Sequence, residues 1–197
     1  MSSTHGIDRQ VLQDVTCVDY HTAGEPFRIV TSPAICLQGA SVSERRLSAV
    51  NDPNVNVIRR LLCHEPRGHA DMYGCFQVPP DDDGARLGVL FWHKDGFSTA
   101  CGHGTIALGV WATESGLVPT EPDGETEIPI DVPSGRVTAR VQRVGGSIRS
   151  VSTNATSPSL PSGRSTGHRV DREQPRVSHN SSTRGDWLRV TSCCIVP

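Results

Sequence analysis

The chain's 197 residues carry 19 basic and 21 acidic side chains, a formal net charge of −2, so its electrostatics mark it for neither nucleic acid nor an anionic membrane. With 36% hydrophobic residues, 19 glycines and 14 prolines, it reads as one domain built of turns and short strands rather than a helical bundle. No stretch approaches the ~20 apolar residues of a membrane span, and the segment Met1–Asp8 lacks the apolar core of a signal peptide, which predicts a cytoplasmic protein.

In chain order, residues 1–14 are expected to be a flexible terminus. Val15 to Val18 reads as a strand, Tyr20-His21-Thr22-Ala23-Gly24-Glu25-Pro26 as a turn, and Phe27 to Val30 as a second strand, with His21 and Glu25 fixing the hairpin. Ser43 to Leu62 is helical in character but interrupted at Asp52-Pro53, and Arg45, Arg46, Arg59 and Arg60 are expected on its solvated face. The polar loop Glu65–Gly74 opens into a strand at Cys75–Val78, with Gly68 allowing a tight bend and Arg67 and Asp71 bonding backbone. Pro79 to Gly84 is a turn, and Leu87 to Trp92 a buried strand. His93-Lys94-Asp95-Gly96 has the chemistry of a hairpin turn. Further on, Glu127–Val132, Arg136–Val144 and Ser147–Ser152 read as strands, the last two joined at Gly145-Gly146. Short hairpin strands around one well-marked helix predict an α+β domain over residues 15–151. From 152 to 197 the chain is rich in Ser and Arg and has little apolar periodicity, the composition of a disordered tail.

The marked helix follows Ser98-Thr99-Ala100-Cys101-Gly102-His103-Gly104. Ile106, Ala107, Val110 and Trp111 recur at helical spacing, and Glu114-Ser115-Gly116 is the stop. That spacing sets the Cys101 thiol beside the unpaired N–H groups of a helix start, which favour a thiolate and also bind a carboxylate. Gly102 and Gly104 would leave the backbone open to a ligand. From these residues alone Cys101 is either a buried structural thiol or a proton-abstracting group, and His103 either a core or capping histidine or a substrate contact. Of the other six cysteines, Cys17, Cys36, Cys63 and Cys75 are expected as reduced, buried apolar residues, and the adjacent Cys193 and Cys194 fall in the expected tail. His64, His69 and Asp71 have no standard metal-ligand spacing, so no metal is expected. Lys94, the single lysine, is expected to be solvated at its turn. No phosphate-binding glycine loop occurs, so no cofactor is required.

Three of these segments together resemble one family. Asp19-Tyr20-His21-Thr22-Ala23-Gly24-Glu25-Pro26-Phe27-Arg28-Ile29-Val30, Glu65-Pro66-Arg67-Gly68-His69-Ala70-Asp71-Met72-Tyr73-Gly74 and Phe97-Ser98-Thr99-Ala100-Cys101-Gly102-His103-Gly104 are similar to signatures of the proline racemase family, in the expected order. The family includes proline racemases, hydroxyproline epimerases and trans-3-hydroxy-L-proline dehydratases, and the wording around Cys101 is most similar to the dehydratases. The resemblance implies one half of a diaminopimelate-epimerase-like two-domain fold, a curved sheet around a central helix. It implies Cys101 as the catalytic proton acceptor, with Gly102 and His103 binding an imino acid substrate. The second-half signature Asp-Arg-Ser-Pro-x-Gly-Thr-Gly is absent from this sequence, so an inactive truncated remnant is the contrasting expectation. A homodimer setting two copies of Cys101 face to face is a further one.

Overall fold

Each segment's pattern of apolar and polar residues decides which of two cores it feeds, in a computed structural model that describes residues 15–155 and 190–191. The expected flexible terminus and most of the expected tail lie outside the described residues. Strands β1 (Thr16–Thr22) and β2 (Glu25–Ser32) form an antiparallel hairpin. Its turn residues Ala23 and Gly24 both take positive φ, 53° and 94°, the twist that a two-residue hairpin favours.

Helices α1 (Val42–Asn51) and α2 (Pro53–Cys63) replace the single interrupted helix read from sequence. Asp52 ends the first and caps the second, its carboxylate accepting from the backbone N–H groups of Asn54 and Val55, and Pro53 follows where its missing N–H costs nothing. Then come β3 (Tyr73–Val78), β4 (Leu87–His93), β5 (Gly96–Phe97), α3 (Gly102–Glu114), β6 (Gly124–Val132), β7 (Gly135–Val144), β8 (Ser147–Ala155) and β9 (Val190–Thr191).

The strands form one mixed sheet in the order β8-β7-β6-β4-β3-β2-β1-β9, with β5 hairpinned onto β4. Neighbours are antiparallel except β2 with β3 and β4 with β6. Along β4 the side chains of Leu87, Val89 and Phe91 enter one core while Leu90 and Trp92 enter the other. A strand buried on both faces reads as an unbroken apolar run, which is why Leu87–Trp92 was legible. The Leu90 face packs on α1 and α2, and the Phe91 face on α3. The parallel β4–β6 joint is short, Leu87 beside Ile130 and Gly88 beside Asp131. Asp131 reinforces it by accepting from the Asp81 N–H at 2.8 Å and pairing with Arg136 at 2.8 Å.

Helix α3 is apolar on nearly every side, which fits a helix enclosed by its surroundings rather than laid on a surface. It touches β1, β2 and β3 at one side and β7 and β8 at the other, so the sheet curves around it. Gly109 permits that closeness: a Cβ there would stand 3.0 Å from Ala139 Cβ and 3.3 Å from Val151 Cγ1. The mixed α+β class and the curved sheet agree with the reading of the sequence.

Several local expectations are corrected. Arg59 is not solvated. It is buried, and its guanidinium donates to the carbonyls of His93 (2.6 Å) and Lys94 (2.8 Å). Arg46 is half-buried and donates to the Phe97 carbonyl (3.0 Å), so two arginines hold the β4–β5 hairpin, and only Arg60 of the four is exposed. Long guanidinium side chains satisfy turn carbonyls that water would otherwise take, which a helical wheel cannot reveal. Cys36 is exposed, whereas Cys17, Cys63 and Cys75 are buried as expected. Strand β8 runs to Ala155, and β9 arises from within the expected tail, pairing its backbone with the free edge of β1 at Val18 and Asp19.

Candidate active site

Cys101 is the N-cap of α3, with extended backbone (φ −155°, ψ 109°). Its carbonyl accepts from Thr105 N (3.0 Å) and Thr105 Oγ1 (2.8 Å), which closes the first helical turn. The N–H groups of Gly102 and His103 therefore have no acceptor within the helix and face outward at its positive end. The Cys101 side chain makes no capping hydrogen bond, although the Gly104 N–H is near enough to favour the thiolate.

The two glycines serve different needs. A Cβ on Gly102 would meet nothing within 4 Å, so this position is open space. A Cβ on Gly104 would overlap the Phe27 ring and approach Cys101 Sγ to 3.0 Å, so this glycine is required by packing rather than by a ligand.

The thiol lies at the floor of a cavity of about 690 Å³. All three sequence motifs meet there. Gly24, Glu25 and Pro26 come from the first, Asp71 and Tyr73 from the second, and Ala100 to His103 from the third. The β4–β5 turn adds His93, Lys94 and Asp95 at the rim. Lys94 is at a solvated turn, 3.5 Å from Asp95, as expected.

Cys101 Sγ lies 3.5 Å from His103 Nδ1 and 3.7 Å from Nε2. His103 Nδ1 also stands 3.0 Å from Glu25 Oε2. The imidazole is fixed between the Phe27 and Tyr73 rings, both edge-on at centroid distances of 5.8 and 5.1 Å. Its backbone carbonyl accepts from Thr22 Oγ1 at 3.1 Å.

Electrostatics here overturn one expectation. The helix start does pull the thiol toward ionisation through the Gly104 N–H, but burial outweighs it and Glu25 opposes it, and the Cys101 pKa is pushed up to about 11. A neutral thiol is the resting form. Burial also lowers the His103 pKa, while Glu25 acts to raise it. Imidazole beside thiol, with a carboxylate behind the imidazole, is an arrangement suited to moving one proton.

Sequence reasoning brought Cys101, Gly102 and His103 to one place and missed Glu25, which it assigned to the hairpin. Only His21 does that work, accepting from the Gly24 N–H at 3.4 Å. The missed signal was the motif itself, since Glu25 lies in the first family segment. Likewise Arg67 bonds through its own backbone, its N–H donating to the His64 carbonyl at 3.1 Å and its carbonyl accepting from Arg28 at 2.6 Å. Among the described residues no cluster of three or more His, Cys, Asp or Glu side chains could hold a metal, and no helix is long and apolar enough to cross a membrane.

The family model described as proline racemase matches residues 17–162, a span that includes all three motifs. The chain belongs to the proline racemase family. It is 44% identical over 137 residues to the trans-L-3-hydroxyproline dehydratase of Xenopus tropicalis, covering 70% of this chain and 39% of that protein. It is 46% identical over 134 residues to the trans-3-hydroxy-L-proline dehydratase of Burkholderia ambifaria, covering 68% of this chain and 39% of that protein. A crystal structure of a hydroxyproline epimerase from Agrobacterium vitis with bound trans-4-hydroxy-L-proline shares the fold, with a TM-score of 0.65 at 23% identity over 71% of this chain and 41% of that one. This proline racemase family chain thus spans 39% of the length of these two dehydratases.

Proposed function

We propose that this chain supplies the proton-abstracting half of a trans-3-hydroxy-L-proline dehydratase, a hydro-lyase that works without a cofactor. The observation that carries the reading is the placement of the Cys101 thiol in an open cavity at the N-terminus of α3, with the imidazole of His103 beside it. Identity of 44–46% with proteins named as dehydratases favours that reaction over the others in the family.

In this reading the substrate carboxylate meets the N–H groups of Gly102 and His103. A carboxylate on the reacting carbon holds its α-proton strongly, so donors aimed at the developing charge lower the barrier. Ionised Cys101 takes the α-proton. The electron pair left on that carbon forms a double bond to C3, and the 3-hydroxyl leaves with a proton as water. The resulting cyclic enamine tautomerises to a cyclic imine. Atoms balance as substrate to imine plus one water.

Two other readings share the same residues. A proline racemase or 4-hydroxyproline epimerase would return a proton to the opposite face of the carbon, using a second acid that a second copy of Cys101 in a homodimer would provide. An inactive remnant would do neither, a reading favoured by a cavity that is open to solvent and a thiol neutral at rest. Five free thiols among the described residues fit a reducing compartment, and we assign the protein to the cytoplasm.

Separate incubations of the full chain with trans-3-hydroxy-L-proline, L-proline and trans-4-hydroxy-L-proline in D₂O distinguish the three. Cyclic imine, trapped with o-aminobenzaldehyde and lost in Cys101→Ala, supports the dehydratase. Deuterium at the α-carbon of proline or 4-hydroxyproline, without imine, moves the assignment to racemase or epimerase. Absence of both leaves the remnant.

A further inference from the structure

Glu25 reaches the site from the β1–β2 hairpin, and its carboxylate is the one anionic group in hydrogen-bonding contact with the His103 ring among the described residues. The sulfur by itself does not choose between the two ring nitrogens, at 3.5 and 3.7 Å. The carboxylate does. An ionised carboxylate only accepts, so at 3.0 Å from Nδ1 it requires the hydrogen there. A neutral imidazole has one N–H, and Nε2 is then the nitrogen with the lone pair.

We infer that Glu25 is a positioning residue that holds His103 as its Nδ1–H tautomer, so that Nε2 accepts the Cys101 thiol proton and the resulting imidazolium is stabilised against the Glu25 carboxylate. The S–H bond breaks, the proton forms an N–H bond at Nε2, and the electron pair stays on sulfur. No other reactant is needed. The inference rests on the reading of Cys101 as the reacting group and deepens it by stating where the thiol proton goes.

The hairpin is built to keep this contact. Thr22 on β1 donates to the His103 carbonyl and Glu25 on β2 faces its ring, so both sides of one turn grip one residue of α3. Phe27 and Tyr73 prevent the ring from swinging away. Burial alone would leave a thiol and an imidazole both neutral and inert, since it raises the pKa of one and lowers that of the other. The remaining titratable groups near the pair are Tyr73 and Cys75 on β3, His69 and Asp71 in the loop before it, and His93, Lys94 and Asp95 on the β4–β5 turn. No ion pair joins any of these to His103.

The test exploits a conflict of sign. As a bare negative charge, Glu25 disfavours the Cys101 thiolate, and its removal would speed reaction of the thiol. As the partner of an imidazolium, it favours the thiolate, and its removal slows that reaction. Glu25 is 68% exposed at its side chain, so substitution leaves the fold intact, with circular dichroism as the check. Iodoacetamide labelling of Cys101, read by peptide mass spectrometry between pH 7 and 10, is compared in the full chain, Glu25→Ala and Glu25→Gln. The His103 tautomer is read from its ¹⁵N chemical shifts. We expect both variants to label about tenfold more slowly, the effect of one pH unit in thiol ionisation. We also expect Glu25→Gln, whose amide oxygen still accepts, to keep the Nδ1–H tautomer and Glu25→Ala to lose it. Faster or unchanged labelling, or the same tautomer in Glu25→Ala, overturns the inference. Neither readout needs turnover. Slower labelling in a chain that produces no imine therefore rejects the dehydratase reading and leaves the relay standing, and the reverse result does the opposite.

Discussion

Arg28 grips Asp19 at two points, Nε to Oδ1 at 2.7 Å and Nη2 to Oδ2 at 2.6 Å, across directly paired positions of β2 and β1. Its remaining nitrogen, Nη1, donates to the carbonyls of Leu62 at 2.8 Å and Arg67 at 2.6 Å. One buried guanidinium thus ties the β1–β2 hairpin to the end of α2 and to the loop that leads into Tyr73.

Replacing Arg28 with methionine keeps the aliphatic volume and removes every one of those donors. The Asp19 charge and two carbonyls lose their partner, and the expected loss is about 3 kcal/mol of stability. Urea unfolding checks it. Arg28→Met combined with Asp19→Asn should cost less than the sum of the two single changes, because the pair acts as a unit. Additive losses would show that the ion pair contributes nothing of its own.

Raising pH should destabilise the fold through Cys101. Its thiol stays protonated in the native chain up to about pH 11, while the unfolded thiol ionises near 9. Between those values the unfolded state has fewer bound protons, so stability falls as pH rises, by about 2–3 kcal/mol in all. Cys101→Ala should flatten that part of the curve. Urea midpoints measured from pH 8 to 11 that fall equally in both proteins would reject this.

The two glycines flanking His103 should respond differently to alanine. Gly104→Ala places a methyl group against Phe27 and the thiol, and overpacking of this kind costs about 1–3 kcal/mol. Gly102→Ala meets open space, so stability should hold within about 0.5 kcal/mol. Its methyl group would instead occupy the cavity side of the helix start, and any binding of an imino acid carboxylate should weaken. Thermal melts and ligand titration separate the two effects, and equal destabilisation would contradict the geometry.

Arg59→Met should loosen the rim of the site from behind. Its guanidinium donates to His93 and Lys94 and lies 5.8 Å over the Phe97 ring. Loss of these bonds is expected to cost about 2 kcal/mol and to speed amide exchange at Gly96 and Phe97 while the amides of β7 keep their protection. Unchanged exchange at those two residues would show that Arg46 alone holds the turn.

What could be read in advance followed from local chemistry. Alternation exposed the strands, Asp52-Pro53 marked a helix boundary, and Cys101 with its glycines marked the start of α3 and one wall of the cavity. The roles of Arg46 and Arg59 were missed because both find their acceptors on a hairpin that follows tens of residues later. Glu25 was missed for the same reason, since its partner lies 78 positions on and a charged residue beside a turn is expected to be solvated. The neutral resting thiol was hidden too. A helix start is visible in sequence, but the desolvation that outweighs it comes from the sheet curving overhead.

The β4–β6 joint divides the sheet into two panels that share little edge, and α3 is pressed between them. The panel of β7 and β8 reaches the third motif through the turn before β7, where the Ser134 N–H donates to the Thr99 carbonyl at 3.1 Å, and it backs the helix that begins after Cys101. Its strands are a buttress. Any event that peels it away, an insertion at Gly145-Gly146 or a break at Asp131, would leave the hairpin and loop residues of the cavity in place and deprive the Cys101 sulfur of a fixed address.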